Sequence, residues 1–226
     1  MPDYITRLIA GGESQTLDFK FEVSDFRKIA RTLVAFSNTD GGRLLVGVKD
    51  NGSIAGVRSE EEYYMIEGAA RLYCRPEIMF SVKEWQADRK KILEVIIDRG
   101  KEVPYKAMDD EGQWTAYIRQ GDQNFKASRI RQQAWIREKS GKPLLVQFRQ
   151  GEQFLIRYLE RNGGITLARF RRLAGLSQRE AEAILTDFLM LGIIEETYSG
   201  FGALFILSPD YKWIIGHINS NDMAGY

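Results

Sequence analysis

The sequence predicts an α+β domain followed by a smaller domain of helices and one β-hairpin. Strand-like segments dominate the middle of the first 140 residues and helical segments flank them, whereas residues 144–210 alternate helices with turns and end in a hairpin. A chain of 226 residues is long enough for one medium and one small domain. We therefore expect domains over 1–140 and 144–210, joined by the linker Ser140-Gly141-Lys142-Pro143, and a C-terminal tail over 211–226.

The first domain begins with a short helix, a strand and a longer helix. Apolar residues keep helical spacing up to the pair Gly11-Gly12, and a strand is predicted over 16–21. An amphipathic helix ending near Asn38 is then predicted by apolar residues at i, i+3, i+4, i+7 and i+8, namely Phe26, Ile29, Ala30, Leu33 and Val34. "RLLVGVKD" indicates a buried strand, and Asn51-Gly52 favours a tight turn after it.

The second half of this domain is predicted to be mostly strands. A helix is expected around Glu60 to Tyr73, followed by antiparallel strands over "MFSVKEWQ" and "KILEVIID". "WTAYIRQG" indicates one more strand, which Gly121 closes. A basic helix from about Ala127 to Lys139 is expected to end the domain.

The smaller domain has the element order of a winged helix-turn-helix. A helix over 152–161 stops at Asn162-Gly163-Gly164, Thr166 can cap a short helix, and Ser177 with Glu180 forms the capping box of a third. Residues 193–207 then read as a hairpin. In this fold the third helix enters a DNA major groove and the hairpin touches the backbone, although winged helices also serve as protein-interaction modules.

Basic residues are concentrated in two runs, although the net charge is only +1. From Arg129 to Arg149 the only acid is Glu138, and from Arg157 to Arg179 the only acid is Glu160. A solvated helix face explains one such run, but two adjacent runs favour a polyanionic partner. In the smaller domain we expect base contacts from Gln178 and Arg179, and phosphate contacts from three neighbouring arginines, Arg169, Arg171 and Arg172.

The composition argues against several other classes of protein. One cysteine, Cys74, and one histidine, His217, leave no set for an intramolecular disulfide or a structural zinc site. No apolar run approaches the roughly 18 residues of a spanning helix, and the first residues are not those of a signal peptide. We expect a cytoplasmic protein with no membrane partner.

Four segments of the first 128 residues resemble the Schlafen AlbA-like domain family, whose bacterial members are often described as DNA-binding. The segments are "GGESQTLDFKFE", "AFSNTDGGRLLVGVKDNGSIAGV", "VPYKA" and "AYIRQGDQNFKAS", in the family's order. The resemblance implies that Gly41-Gly42 is a fold signature, at which the chain leaves a helix and enters a central strand. The chain has no G-x-x-x-x-G-K-[ST] phosphate loop, so we expect neither nucleotide hydrolysis nor a cofactor.

The resemblance also implies a set of acidic residues. Glu13, Asp18 and Asp50 match three acids that hold a divalent cation for RNA cleavage in the vertebrate nuclease members, and Lys20 matches a neighbouring lysine. Carboxylates are suitable ligands for Mg²⁺ or Mn²⁺. However, Asp18 stands where the family usually has glutamate, and Lys49 stands where an acid often precedes Asp50. The residues alone equally allow Glu13 and Asp18 to pair with Lys20, and Asp50 to form a turn.

Further nucleic-acid contacts are expected along the basic surface. Arg119 matches a recurring arginine of the family and, with Lys126, is predicted to line a nucleic-acid groove through phosphate contacts; a surface ion pair is the alternative. Arg129 and Arg131, in the basic helix, are predicted to extend this surface.

These observations predict a nucleic-acid-binding protein, with DNA favoured over RNA, and specifically a DNA-binding transcriptional regulator that acts as a homodimer. One alternative is a divalent-metal-dependent endoribonuclease of the Schlafen type, with Glu13, Asp18 and Asp50 as ligands of Mg²⁺ or Mn²⁺ and Lys20 beside them. Another is a protein-interaction or assembly module. We expect little or no catalysis, because shortening one ligand to Asp18 displaces its oxygens from the geometry that a metal site needs.

Overall fold

The computed structural model describes residues 4–57, 59–87, 89–141, 144, 147–200 and 202–223. The chain forms two compact units, Met1–Ala127 and Ser128–Tyr226. The division falls before the basic helix, whereas the sequence predicted a boundary after residue 140. The helix belongs to the second unit because its residues Ile130 and Ala134 are buried in that unit's core. Of the predicted linker, Lys142 and Pro143 lie outside the described residues.

The first unit is a mixed sheet with a helix on each face, together with smaller sheets, as expected for an α+β fold. Its main sheet has the order β1-β2-β5-β4, with β1 parallel to β2 and the other pairs antiparallel. Its helices are α1 (Tyr4–Ala10), α2 (Phe26–Asn38) and α3 (Glu61–Leu72). Its strands are β1 (Leu17–Lys20), β2 (Gly42–Val46), β3 (Cys74–Arg75), β4 (Phe80–Ala87), β5 (Lys90–Ile97), β6 (Lys106–Met108), β7 (Trp114–Thr115), β8 (Tyr117–Gln120) and β9 (Gln123–Lys126).

The predicted amphipathic helix α2 forms because both its cap and its apolar face are satisfied. Asp25 is the N-cap and accepts hydrogen bonds from the backbone N–H groups of Arg27 and Lys28. Alternate residues of a strand point to opposite faces of the sheet. Leu44 of β2 therefore joins the core on the α2 side, while the next residue, Leu45, packs in a separate cluster with α1.

The glycine pair after α2 serves close packing, as the family resemblance implied. Gly41 has a φ of +73°, and a Cβ there would lie 2.7 Å from the carbonyl oxygen of Ile97. A Cβ at Gly42 would lie 2.5 Å from the ring of Phe36. Only glycine fits between the end of α2 and the central strand, because any side chain would displace the backbone or the buried ring.

The segment "WTAYIRQG" is divided into two strands, which is a departure from the single predicted strand. Strand β7 belongs to a sheet of order β3-β6-β7, whereas β8 pairs with β9 in a separate hairpin. The break falls at buried Ala116, whose carbonyl accepts a hydrogen bond from the N–H of Ala127. A contact with the end of the first unit therefore decides where the strand stops.

The second unit has the predicted order of helices and hairpin. Three antiparallel strands form its sheet in the order β10-β12-β11. Thr166 is the N-cap of α6, and Ser177 and Glu180 form both hydrogen bonds of the capping box of α7. Its elements are α4 (Arg129–Lys139), α5 (Gln150–Asn162), β10 (Gly164–Ile165), α6 (Leu167–Ala174), α7 (Gln178–Met190), β11 (Ile194–Ser199), β12 (Gly202–Leu207) and α8 (Tyr211–Met223).

Residues 211–226 were expected to be a polar tail, but most of them form helix α8. Tyr211, Ile214, Ile215 and Ile218 keep the spacing i, i+3, i+4 and i+7 and pack against the core of the second unit. This apolar stripe explains why the segment is ordered as a helix. Within the described part of the chain, no helix combines the length and the apolar character needed to cross a membrane.

Candidate nucleic-acid interface

Three of the four predicted catalytic residues lie together on and before β1. Lys20 Nζ is 2.6 Å from Asp18 Oδ2, as two residues on the same face of a strand allow. Glu13 Oε1 accepts a hydrogen bond of 2.8 Å from the N–H of Phe19. Asp18 is almost fully buried, with 3% of its surface exposed. These carboxylates are thus engaged by a lysine and by the backbone of their own segment.

Asp50 is the fourth residue of this predicted set. It occupies the exposed turn after β2, which is closed by hydrogen bonds from Lys49 N–H to the Ser53 carbonyl and from Gly52 N–H to the Lys49 carbonyl. Among the residues that the structure describes, no three or more His, Cys, Asp or Glu side chains are arranged to hold a metal ion. The three acids that the resemblance paired with a divalent cation are therefore not assembled into one site.

Arg119 is buried in the first unit, which corrects its predicted role as a phosphate contact. Only 2% of its surface is exposed. Its Nη2 lies 3.1 Å from Asp18 Oδ1, and the guanidinium also donates to the carbonyls of Ser14 and Leu17. The cation lies 5.1 Å from the centre of the Phe36 ring. Arg119 is an internal cross-link between β8 and the β1 segment, not a groove residue.

The surroundings of Glu13 raise the pKa of its carboxyl group. Burial raises the pKa of Glu13 above its ordinary value, the hydrogen bond from Phe19 N–H lowers it, and the nearby carboxylate of Asp18 raises it. A raised carboxyl pKa weakens a metal ligand, because cations bind the ionised form.

Lys126 remains exposed at the end of β9, in agreement with a surface role. Its Nζ lies 3.6 Å from Asp109 Oδ2. The Asp109 carboxylate is held by the N–H groups of Gln113 and Glu111 and by the Thr115 hydroxyl, and these hydrogen bonds lower its pKa. A phosphate near Lys126 would have to compete with this ionised carboxylate.

The basic helix α4 directs several of its cations to acids of the second unit. Arg129 Nε lies 3.3 Å from Glu182 Oε2, and Arg131 Nε lies 3.1 Å from Glu196 Oε2. The Arg131 side chain is 28% exposed, and the side chain of its partner Glu196 is completely buried. Arg131 therefore forms a structural ion pair instead of the predicted nucleic-acid contact. Arg129, by contrast, keeps 72% of its side chain exposed to solvent.

Helix α7 is partly covered by α4. Glu182 of α7 is buried and accepts a hydrogen bond from Gln133 of α4. Arg137 of α4 forms an ion pair with Asp187. Because α4 covers this side of α7, the first turn of α7 carries its remaining candidates for base contacts.

The predicted contacts on α6 and at the start of α7 are exposed. Arg169, Arg171, Arg172 and Arg179 all lie at the surface. Arg171 Nη1 donates to Gln178 Oε1 at 2.8 Å, and Gln178 Nε2 donates to Glu182 Oε1 at 2.6 Å. The amide of Gln178 is thus held at both ends, and it must exchange these partners to read a base.

The first unit spans nearly the same residues as the match to a known family model. A family model described as Schlafen, AlbA_2 matches residues 13–128, about half of the chain. The chain belongs to the Schlafen AlbA_2 family. The match contains Glu13, Asp18, Lys20, Asp50 and Arg119, and it ends where the second unit begins.

Two solved structures are similar to this Schlafen AlbA_2 protein at low identity. The DIP2311 protein from Corynebacterium diphtheriae is 19% identical with a TM-score of 0.43, and the match covers 88% of this chain and 35% of that one. The N-terminal domain of a putative ATP-dependent DNA helicase RecG-related protein from Nitrosomonas europaea is 20% identical with a TM-score of 0.41, and the match covers 57% and 94%. No curated protein matches this sequence.

Sequence reasoning overlooked two kinds of residue in this Schlafen AlbA_2 protein. Asp109, which faces Lys126, carries no local motif that would reveal its partners. Arg157 and Arg161 were counted in a charge run but assigned no site; both are exposed on α5, where their spacing of i and i+4 places them on one face.

Proposed function

We propose that the protein binds nucleic acid and acts as a DNA-binding transcriptional regulator whose second unit is a winged helix. Two features support this proposal. The first unit belongs to a family whose bacterial members are often described as DNA-binding. The second unit has the helix, strand and hairpin order of a winged helix, with β10 pairing to the hairpin strand β12.

The observation that carries the proposal is the separation of charges in the second unit. Three acids of α7 and β11 are paired with cations of α4, in the pairs Arg129–Glu182, Arg131–Glu196 and Arg137–Asp187. The arginines of α6 and of the first turn of α7 stay in solvent. A surface of this kind attracts phosphates, and the exposed carboxylate of Glu180 in the first turn of α7 offsets part of that attraction.

Contact with base edges falls to the first turn of α7. The N-terminal residues of a recognition helix are those that reach the major groove in helix-turn-helix proteins. Here they are Gln178 and Arg179, and an arginine is suited to guanine while a glutamine is suited to adenine. A surface with few base contacts and many phosphate contacts should bind DNA with an affinity that depends strongly on salt and only modestly on sequence.

Alanine substitution of Arg169, Arg171 and Arg172 together tests the proposal. We expect weaker duplex DNA binding across unrelated sequences. The slope of log affinity against log salt concentration should become shallower by about 0.9 for each phosphate that the variant no longer neutralises. Fluorescence anisotropy titrations at several salt concentrations measure both quantities. The matched control replaces the same residues by lysine, which keeps the charge and should keep the salt slope. Unchanged affinity of the alanine variant at low salt would refute the proposal.

We also propose that the protein is a homodimer. The resemblance supports this, because in the vertebrate relatives two related lobes combine into one basic valley and this chain has one such lobe. Two-fold association is also the commonest oligomeric form and suits a regulator that reads paired half-sites.

The observations favour binding over the two alternatives. For an endoribonuclease, Asp18 would have to release Lys20 and Arg119 before it could take a cation, and Asp50 would have to join it. For an assembly module, an apolar patch on α7 is expected, yet residues 177–191 expose no large apolar side chain. We propose neither a cofactor nor a metal for the binding function.

A further inference from the structure

We propose that the outer face of α5 binds single-stranded nucleic acid, through a groove that shares Arg169 with the duplex-facing surface but is otherwise separate from Arg171, Arg172 and Arg179. This inference rests on the proposed nucleic-acid binding and adds to it a second surface and a strand type. It concerns only residues of the second unit.

The groove follows one stripe of α5. Its lining side chains recur at helical spacing and enclose about 430 Å³; they include Gln153, Phe154, Arg157, Tyr158, Arg161 and Asn162. Among the described residues that line it, none carries a carboxylate. The same helix carries two acids outside this lining, Glu152 and Glu160, and Glu160 accepts a hydrogen bond of 2.9 Å from the hydroxyl of Tyr211. The stripe is therefore cationic and aromatic along its length.

The cations lie where they can follow a phosphate backbone. Arg157 and Arg161 are exposed one helical turn apart, about 6 Å along the axis at 1.5 Å per residue. A third cation comes from α6, where the guanidinium of Arg169 lies 5.6 Å from the centre of the Tyr158 ring. Three arginines beside one groove are complementary in charge to a polyanion such as a phosphate backbone. They would repel a basic peptide and offer little to an apolar one.

The aromatic rings select a single strand over a duplex. Phe154 and Tyr158 are half-buried and stack on each other, with ring centres 5.9 Å apart. Phe154 is supported from the core by Phe170, at 6.3 Å. Half-exposed rings beside arginines provide a stacking surface for unpaired bases, whereas the bases of a duplex are already stacked inside it.

Neighbouring amides complete the groove. Gln153 Nε2 donates to the carbonyl of Phe148 and Asn162 Nδ2 donates to the carbonyl of Tyr158, at 2.9 Å and 2.8 Å. These bonds hold two amide groups beside the rings, where they can contact base edges without demanding one sequence.

The test compares three probes of equal length, about twelve nucleotides, within the usual range of single-strand sites. They are an oligothymidylate, an abasic phosphodeoxyribose strand and a duplex. In the variant Arg157→Gln/Arg161→Gln we expect oligothymidylate affinity to fall about tenfold at low salt. The slope of log affinity against log salt concentration should become shallower, from about −2 to about −0.7. Duplex affinity should stay within about twofold, because the other arginines remain.

Tyr158 separates stacking from charge. Tyr158→Phe should keep the preference of the protein for oligothymidylate over the abasic strand, and Tyr158→Leu should abolish it. The matched control Arg171→Gln/Arg172→Gln should weaken duplex binding and leave single-strand affinity within about twofold. Circular dichroism establishes that each variant is folded.

The outcomes distinguish this inference from the proposed function. Duplex binding that persists while the oligothymidylate is not bound, or is bound equally well by Arg157→Gln/Arg161→Gln, would overturn the α5 site alone. Absence of binding to every probe by the unmodified protein would overturn both proposals. An equal loss of affinity for duplex and single strand in both double variants would show one shared surface and would also overturn the separate groove.

Discussion

Replacement of Arg119 should destabilise the first unit without altering nucleic-acid affinity. The buried guanidinium lies against Asp18 and donates to the carbonyls of Ser14 and Leu17 and to Asn124 Oδ1. Methionine fills similar volume but provides neither the charge nor the donors. In Arg119→Met, the buried carboxylate of Asp18 would lose this partner and keep its ion pair with Lys20.

The size of the effect follows from these interactions. Removing one member of a buried ion pair costs about 3–5 kcal/mol, mostly because the other charge is left uncompensated. Arg119→Lys keeps the charge but not the planar fork, so we expect an intermediate cost of about 1–3 kcal/mol. Adding Asp18→Asn to Arg119→Met should recover part of the stability, since the buried carboxylate that has lost its arginine is then gone, with a coupling energy of about 0.5–3 kcal/mol.

Hydrogen exchange in increasing urea measures the unfolding free energy of first-unit peptides separately from the second unit. The matched control is Lys126→Met, an exposed cation of the same unit, which should change stability by less than about 0.5 kcal/mol. A cost below about 1 kcal/mol for Arg119→Met would contradict the buried cross-link. So would a folded Arg119→Lys protein with reduced DNA affinity and a flatter salt dependence, because these would indicate a phosphate contact.

Three further predictions concern assembly, catalysis and pH. Light scattering at micromolar concentration should give twice the chain mass, and the mass of one chain would exclude the dimer. Incubation of transfer RNA with Mg²⁺ or Mn²⁺ should yield no cleavage above a buffer control; cleavage that disappears in folded Glu13→Ala and Asp50→Ala proteins would show that a nuclease is present. The raised pKa of Glu13 means that the folded protein holds a proton after the unfolded chain has released it, so stability should fall as pH rises above the ordinary value of 4.5. Urea titrations should show a smaller fall for Glu13→Gln.

Local signals in the sequence predicted most of the elements correctly. Helices α2 and α7 have complete apolar stripes and side-chain caps, and these interactions span at most a few residues. The end of β7 depends instead on Ala116 and Ala127, which are distant in sequence. Helix α8 had a local signal, the spacing of Tyr211, Ile214, Ile215 and Ile218, but its polar residues concealed it.

Site residues were harder to predict because burial depends on contacts between distant segments. Arg119 looks like a surface arginine before a glycine turn, yet its acceptors at Ser14 and Leu17 are more than 100 residues away. Arg131 likewise lies in a basic run, and only the fold brings it to Glu196. A motif match identified the position of each acid but not whether the fold assembles them into one site.

The two basic runs of the sequence have different physical roles in the second unit. In the first run, arginines of α4 neutralise acids of α7 and β11, so their charge is largely used within the protein. In the second run, arginines of α5 and α6 are exposed, and the acid within that run, Glu160, accepts a hydrogen bond from Tyr211. Because counterion release counts only cations that reach phosphates, the salt dependence of binding should follow the second run and not the total charge. The nearly neutral sequence therefore does not argue against a nucleic-acid partner, since several of its acids are held in internal pairs.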